Sequence, residues 1–458
     1  MRYLIKKVLI MVISISMLMS FTGCKKEVTD TSNNQNNSGQ DSALQEEADE
    51  EEELNDLSEK LALQMTEGDF EDIYSQCSVI MKTQITKKAL EEAWDTTVKD
   101  IGSYVEVYKI SQKKVETFQQ VTVVLKFEKS GLSILFTYNS SNKLEGLWFN
   151  YYPLEEAAVT TETYKEVKVT IGEGDFPISA ILTLPNGVEN PPVAILVPGS
   201  GNHDMNETVM VNKPFQDIAW GLSEQGIASI RYDERMFSYP ELLNNTFTIE
   251  ADSLTDTKEV IKYATSCEFI DPKKIYVIGH SLGAMMAPKI ATDNKEVIGI
   301  ILLAGSPRRL EDIIYDQAVV EVDKTDSLTK EEKESQLDTV RTSIQKVKAI
   351  AKEDVDSYLG YPASYWYRLN QIDTAELAKN LTIPIFIAQG TKDVQIYADK
   401  DYIAWQELLA GKENISFHLY ENLNHLFMTS TTGDVSEYST KGNVNQNVID
   451  DIAEWMKK

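Results

Sequence analysis

From about residue 159 to the C-terminus, short apolar runs alternate with segments of helical spacing, and this alternation constrains the fold more than any other feature. Each run is rich in valine and isoleucine and has the length of a strand buried on both faces. The runs are PPVAILVPG, GIASIRYD, KKIYVIG, VIGIILLAG, IPIFIAQG and ENISFHLYE, preceded by YKEVKVTI and PISAILTLP as a predicted β-pair. Helices are predicted between them at 214–224, 249–266, 281–292, 398–409 and 448–456. The pattern predicts a mostly parallel central sheet with helices on both faces over residues 159–458.

One segment, residues 306–373, interrupts this alternation and is far longer than an ordinary connection between two sheet strands. Part of it carries apolar residues on one helical face, which favours a helix packed on the domain. These residues are Leu337, Val340, Ile344, Val347 and Ile350. The aromatic stretch YPASYWYRLN follows, and we expect it to contact substrate more than the apolar stripe does. The segment is predicted to form a helical cap over the carboxyl edge of the sheet.

The preceding region, residues 54–153, is predicted to contain two helical segments and then four strands. The second helix begins after Thr86, a residue type that caps helix N-termini. The strands YVEVYKI, QQVTVVLKFEK, LSILFTYN and LEGLWFNYY alternate in polarity, and residues 139–142 supply a turn. This order resembles the small α+β domain of the nuclear transport factor 2-like type that often precedes hydrolase domains in exported bacterial proteins. A packing or spacer role is the favoured interpretation.

The N-terminus has the composition of an export signal, predicted over residues 1–23. Three basic residues, Arg2, Lys6 and Lys7, precede an apolar run that is shorter than the ~20 residues of a bilayer span. The run ends in SFTGC, which resembles the bacterial lipobox, with Phe21 where leucine is usual. The resemblance implies signal removal, lipidation of Cys24, and an exported, cell-surface lipoprotein anchored to the bacterial cytoplasmic membrane. An uncleaved signal anchor is the alternative.

Residues 24–53 contain almost no apolar side chains and end in an acidic run from Glu46 to Glu53. Such a composition buries too little apolar surface to fold, and its like charges repel one another. The segment is predicted to be a disordered acidic tether between the lipid and the folded body.

Charge and cysteine content exclude several classes of function. The net charge of −28 argues against nucleic-acid binding, which needs a basic surface. Besides Cys24 the chain has only Cys77 and Cys267, which fall in different predicted domains without metal-ligand spacing and are expected to be free thiols. No H-E-x-x-H motif or similar ligand cluster is present, so no metal and no cofactor are predicted. The sequence does not indicate an oligomeric state.

The pentapeptide Gly279-His280-Ser281-Leu282-Gly283 follows the predicted strand KIYVI and precedes a predicted helix. This G-x-S-x-G pattern in a strand–turn–helix context is typical of a turn that exposes a serine hydroxyl above a parallel sheet. The flanking glycines are needed because so tight a turn leaves no room for side chains. Ser281 is therefore predicted to be a nucleophile.

A serine nucleophile needs a base, and the base needs an orienting acid. His425 lies in the loop after the last predicted strand, and Asp393 follows the strand before it. Ser281, Asp393 and His425 occur in the chain order expected of this arrangement. Three further histidines are less suited to be the base. They are His280 inside the turn, His418 within a predicted strand, and His203 near the loop PGSG.

The developing oxyanion requires N–H donors. One is predicted to be the backbone N–H of Leu282, the residue after the nucleophile. The other is predicted at Ser200, in the loop ILVPGSGNHD that follows an apolar strand. A dinucleotide-binding loop is rejected, because the third glycine of that motif is missing.

These residues together resemble the α/β-hydrolase family over residues 159–458. The stretch RYDER is similar to the family's R-Y-D-x-R-G, with Met236 in place of glycine, and GTKDVQI and NLNHLF extend the likeness. The layout looks like that of secreted bacterial esterases with a small N-terminal domain. The resemblance implies a serine esterase that cleaves carboxylic esters, of the short-chain acyl class, through an acyl-serine.

Two alternatives stay open. A serine peptidase or amidase of the same fold would need an acid in the cap that binds an α-amino group, with Asp354, Asp356 and Asp373 as candidates. A catalytically inactive surface binding lipoprotein on the same scaffold is the other.

Overall fold

The computed structural model describes residues 38–458 except 100, 116, 155–156, 245 and 326–327. The predicted signal, Cys24 and the first part of the predicted tether therefore lie outside the described residues. The chain divides into two compact units, one ending at residue 156 and the other running from Ala157 to Lys458. None of the helices in the described ranges is both long and apolar enough to cross a membrane.

The first unit combines helices with an antiparallel sheet, which confirms the predicted small α+β domain. Its strands pair in the order β1-β2-β3-β4 as a meander, and the Thr86 hydroxyl caps α4 by accepting a hydrogen bond from the N–H of Ala89 at 3.1 Å. The elements are α1 (Ser38–Thr66), α2 (Glu71–Gln76), α3 (Val79–Gln84), α4 (Lys87–Val98), β1 (Tyr104–Val115), β2 (Phe118–Phe127), β3 (Gly131–Tyr138) and β4 (Leu144–Tyr152).

The acidic segment differs from its prediction. Helix α1 begins at Ser38, so the second part of the predicted disordered tether of residues 24–53 is helical. Glutamate, glutamine, alanine and leucine are good helix formers, and acidic residues near a helix N-terminus interact favourably with the helix dipole. These local preferences outweigh the mutual repulsion on which the disorder prediction depended.

The second unit is built on one large sheet. Its strands are β5 (Tyr164–Ile171), β6 (Ile178–Pro185), β7 (Val193–Val197), β8 (Ala228–Tyr232), β9 (Ile275–His280), β10 (Val297–Leu303), β11 (Ser357–Tyr358), β12 (Tyr361–Pro362), β13 (Ile385–Gly390) and β14 (Ile415–Tyr420). Eight of them form the sheet in the order β14-β13-β10-β9-β7-β8-β6-β5. Strand β6 pairs antiparallel with β5 and β8, and the other pairs are parallel. The predicted mostly parallel α/β-hydrolase sheet is confirmed.

The helices of the second unit cover both faces of this sheet or lie in the insertion of residues 306–373. They are α5 (Pro214–Glu224), α6 (Arg235–Ser238), α7 (Thr255–Ser266), α8 (Leu282–Asp293), α9 (Leu310–Lys324), α10 (Lys330–Lys348), α11 (Ala363–Leu369), α12 (Thr374–Asn380), α13 (Ile403–Leu408) and α14 (Gln446–Met456). Single π-helical turns, Glu250–Leu254 and Ala398–Tyr402, precede α7 and α13.

Strand β7 illustrates why its run is apolar throughout. Ala194 and Leu196 pack with α5 and α14 in one buried cluster, while Ile195 and Val197 pack with α7 and α8 in the other. Alternate residues of a strand point to opposite faces, so a strand covered on both sides needs apolar residues at every position.

The insertion of residues 306–373 contains helices α9, α10 and α11 and the small hairpin β11–β12. On the predicted apolar face of α10, Ile344 and Val347 are buried. The aromatic segment differs from its expected substrate-facing role at two positions, because Tyr365 and Trp366 are 0% exposed and belong to the core.

Candidate active site

Ser281 lies at the junction of β9 and α8 in a strained conformation. Its φ of 52° is in the left-handed region, which a non-glycine residue adopts only when its surroundings impose it. The Ser281 N–H donates to the carbonyl of Leu303 on the neighbouring strand at 2.9 Å, which holds this conformation in place. The turn is as tight as predicted, because a Cβ at Gly279 would lie 2.3 Å from the Gly283 carbonyl oxygen.

His425 and Asp393 form a buried hydrogen-bonded pair at the carboxyl ends of β14 and β13. The distance from His425 Nδ1 to Asp393 Oδ2 is 2.8 Å, and the two residues are 4% and 5% exposed. A carboxylate at Nδ1 requires the proton on that nitrogen, which leaves Nε2 free to accept a proton. The arrangement orients His425 as a base.

The Asp393 carboxylate is fixed by three further donors. Its Oδ1 accepts hydrogen bonds from the N–H groups of Gln395 at 2.8 Å and Ile396 at 2.9 Å. Its Oδ2 accepts from Gln389 Nε2 at 2.9 Å in addition to His425. Four donors on one carboxylate stabilise the anion and leave it no rotational freedom.

His280 connects the serine turn to the base loop. Its Nε2 lies 2.9 Å from the carbonyl oxygen of His425, and the centroids of the two imidazole rings are 4.7 Å apart. Because His280 immediately precedes Ser281, the structure brings Ser281 and the loop that carries His425 together.

The predicted oxyanion donors border the same point. A Cβ added to Gly199 would lie 3.0 Å from Ser281 Cβ, so the loop that carries Ser200 passes directly beside the nucleophile. Leu282 is the first residue of α8, and its N–H has no acceptor within the helix. The positive end of the α8 dipole adds to the stabilisation of negative charge here.

One buried acid at this site was not predicted. Glu207, 1% exposed, accepts hydrogen bonds through Oε1 from the Gly199 N–H at 2.7 Å and from His280 Nδ1 at 2.8 Å. Burial alone would raise the pKa of Glu207, but His280, His203 and the Gly199 N–H together outweigh it and lower the pKa. No sequence motif pointed to Glu207, since it lies in an irregular loop far from His280 along the chain.

The other two histidines make different contacts. His203 contacts the Ser200 carbonyl oxygen through Nε2 at 2.9 Å, which supports the loop. His418 stacks on Phe386 at 4.0 Å between ring centroids, as expected of a packed strand residue.

A second group of buried polar residues lies beside the Ser200 loop. Burial raises the pKa of the Tyr361 hydroxyl, and the charge of Asp252 raises it further. Ser200 lies close enough to oppose this shift, although the Tyr361 hydroxyl has no hydrogen-bond partner of normal geometry. The Tyr365 hydroxyl donates to Asp252 at 3.0 Å. Burial is also the main cause that raises the pKa of Asp252 to about 7. The cap thus places polar groups next to the oxyanion loop.

Two family models match the chain. Residues 58–147 match a family described as a protein of unknown function, DUF3887. Residues 203–431, half of the chain, match the family described as serine aminopeptidase, S33.

Comparison with individual proteins gives relatives named as esterases. Esterase EstD of Thermotoga maritima is 33% identical over 403 residues, covering 86% of this chain and 93% of that protein. Est1E from Butyrivibrio proteoclasticus is 16% identical with a TM-score of 0.41, covering 63% of this chain and 97% of that one. An esterase of Pyrobaculum calidifontis is also 16% identical with a TM-score of 0.41, covering 64% and 85%. At such scores the two solved structures add nothing to the strand order described above. On the S33 model and the EstD alignment, the chain belongs to the serine aminopeptidase S33 family of α/β hydrolases.

Proposed function

We propose that this protein is a serine hydrolase that cleaves carboxylic esters through an acyl-Ser281 intermediate. The observation that carries the proposal is the strained turn at Ser281 beside a base, His425, whose Nδ1 is held by Asp393 at 2.8 Å. The similarity to a protein named as an esterase favours an ester as the substrate.

In the proposed reaction, Ser281 Oγ attacks the ester carbonyl carbon while His425 Nε2 takes the hydroxyl proton. The N–H groups of Leu282 and Ser200 stabilise the oxyanion of the tetrahedral intermediate. His425 then gives its proton to the leaving alcohol, which departs and leaves an acyl group on Ser281. Water attacks this acyl-enzyme with His425 again as base, and the acid is released.

The test compares ester and amide substrates on purified protein lacking residues 1–23. We expect turnover of short p-nitrophenyl esters, and a loss of order 10³-fold or more in Ser281→Ala. Ser266→Ala, at an exposed serine ending α7, is the matched control and should turn over the esters at the wild-type rate. Equal turnover by Ser281→Ala and wild type would refute the proposal.

A peptidase or amidase is the second candidate, favoured by the description of the matched family as a serine aminopeptidase. The three cap acids named for it bond within their own segments. Asp354 accepts from the Ala351 N–H, Asp356 from the Tyr358 hydroxyl, and Asp373 from the Glu376 N–H. Turnover of aminoacyl anilides exceeding that of esters would nevertheless favour the peptidase. No turnover of either class would favour the inactive binding lipoprotein.

We also propose that the chain is a lipoprotein held at the outer surface of a bacterial cytoplasmic membrane through Cys24. Support comes from the basic residues, the short apolar run and the SFTGC ending. Cys24→Ala should prevent incorporation of labelled palmitate in cells, whereas Cys77→Ala should not. Equal labelling of both variants would refute the anchor.

A further inference from the structure

The imidazole of His280 has an oxygen acceptor at each nitrogen. Nδ1 lies 2.8 Å from Glu207 Oε1, and Nε2 lies 2.9 Å from the His425 carbonyl oxygen. A carbonyl oxygen can only accept, so Nε2 must carry a proton. When Glu207 is ionised, its Oε1 accepts both from the Gly199 N–H and from Nδ1, so Nδ1 carries a proton as well. These contacts fit a charged imidazolium beside a carboxylate, whereas a neutral imidazole would need the proton on Glu207 Oε1 instead.

The two residues are enclosed by protein. His280 is 6% exposed and Glu207 is 1% exposed. A charge at such a position needs a partner of opposite charge, since an isolated ion loses its hydration without compensation. Each of these residues supplies the partner that the other requires.

We propose that Glu207 and His280 form a buried ion pair that positions the catalytic residues Ser281 and His425 relative to the oxyanion loop. The pair contacts three segments at once. Glu207 holds the loop at Gly199, His280 is covalently next to Ser281, and its Nε2–H holds the base loop at the His425 carbonyl. Neither side chain touches the reacting atoms, so both act as positioning residues. This inference rests on the proposed function for its kinetic readout.

The surrounding charges support the charged state. Burial would lower the pKa of His280, but Glu207, the His425 carbonyl and Asp393 together raise it. The carboxylate of Glu207 faces the Gly199 N–H, His280 and, at longer range, His203, and all three lower its pKa. The groups around the pair therefore favour an imidazolium beside a carboxylate.

The charge on His280 is tested directly by nitrogen NMR of the protein lacking residues 1–23, with isotope label in the ring nitrogens of its histidines. The chain has 4 histidines, so comparison with His280→Gln assigns the His280 resonances. We expect both ring nitrogens of His280 to be protonated at pH 7.5. A His280 that is neutral at this pH overturns the ion pair, and this measurement needs no substrate.

The positioning role is tested by the rate at which a fluorophosphonate labels Ser281, in Glu207→Gln, His280→Gln and the double variant. His280→Gln keeps an N–H that can reach the His425 carbonyl but removes the cation, so Glu207 is left as an unpaired buried charge. We expect this variant to lose at least ~10-fold in labelling rate and kcat, with KM changed less than ~3-fold. The double variant should label faster than His280→Gln, because it removes the unpaired charge.

Ile171→Ala is the matched control for stability. Ile171 is buried on the edge strand β5, which three other strands separate from β9, so its truncation should lower the melting temperature without slowing labelling. Wild-type labelling rates in His280→Gln, or a double variant no faster than it, overturn the positioning role. A wild type that the probe does not label overturns the proposed function and the positioning role with it, while a charged His280 in the NMR experiment still stands.

Discussion

Replacement of Asp393 by asparagine tests the acid of the candidate triad, because the structure dictates how the new amide must sit. The N–H groups of Gln395 and Ile396 both donate to Oδ1, so the amide oxygen takes that position. The NH₂ group then occupies the Oδ2 position, where it faces both His425 Nδ1 and Gln389 Nε2, so the Gln389 amide must turn away as well. Two donors cannot face each other, so His425 must lose the proton from Nδ1 and carry it on Nε2 instead. In that tautomer it cannot accept the proton of Ser281.

The expected loss in kcat is about 10⁴-fold, or about 5 kcal/mol of transition-state stabilisation. The assay is p-nitrophenyl ester turnover, with circular dichroism and a melting curve to establish that the variant is folded. Asp434→Asn is the matched control, because Asp434 caps a short helical turn through the Ser436 N–H, and asparagine caps equally well. A folded Asp393→Asn that keeps more than a tenth of the wild-type kcat would refute the assignment of Asp393.

Three predictions concern stability and pH. Gly283→Ala places a Cβ 2.3 Å from the Val197 carbonyl oxygen and should lower the free energy of unfolding in urea by about 1–3 kcal/mol. An unchanged urea midpoint would contradict the packing of α8 against β7. Glu166→Gln breaks an ion pair with Arg231 in which both side chains are 1% exposed, and should lower the free energy of unfolding by about 3–5 kcal/mol. Glu92→Gln, which breaks the exposed Lys88–Glu92 pair, is the control and should lower it by well under about 1 kcal/mol. Asp252 has a folded pKa raised from 3.8 to about 7 by burial, with Asp256 adding to the shift and Tyr365 opposing it, so its contribution to stability is lost as pH rises between these values. Asp252→Asn should therefore raise the melting temperature relative to wild type more at pH 8 than at pH 5, and an effect independent of pH would contradict the raised pKa.

Features that depend on local pattern were predictable from the sequence. The valine- and isoleucine-rich runs specify buried strands by themselves, and the glycines around Ser281 specify a tight turn. His425 and Asp393 could be selected because each follows a strand whose carboxyl end meets the same edge of a parallel sheet. The structure places both residues there, in contact with each other.

Features that depend on distant contacts or on competing local terms were not predictable. Glu207 contacts His280 across 73 residues, and a glutamate in an irregular loop has no pattern that separates it from solvated acids. The sequence YPASYWYRLN does not by itself indicate which aromatic rings face the core. In the structure Tyr365 and Trp366 are buried, whereas Tyr361 lies near the Ser200 loop. The start of α1 depended on whether helix propensity or charge repulsion was larger, which composition alone does not decide.

The central claim is that Ser281 becomes acylated during ester hydrolysis. The most direct measurement is rapid acid quench during p-nitrophenyl butyrate turnover, followed by mass spectrometry of the proteolytic peptides. We predict a butyryl group on the peptide that contains Ser281, absent in Ser281→Ala. Ester turnover with no acyl adduct on that peptide, or with the adduct on another residue, would contradict the account.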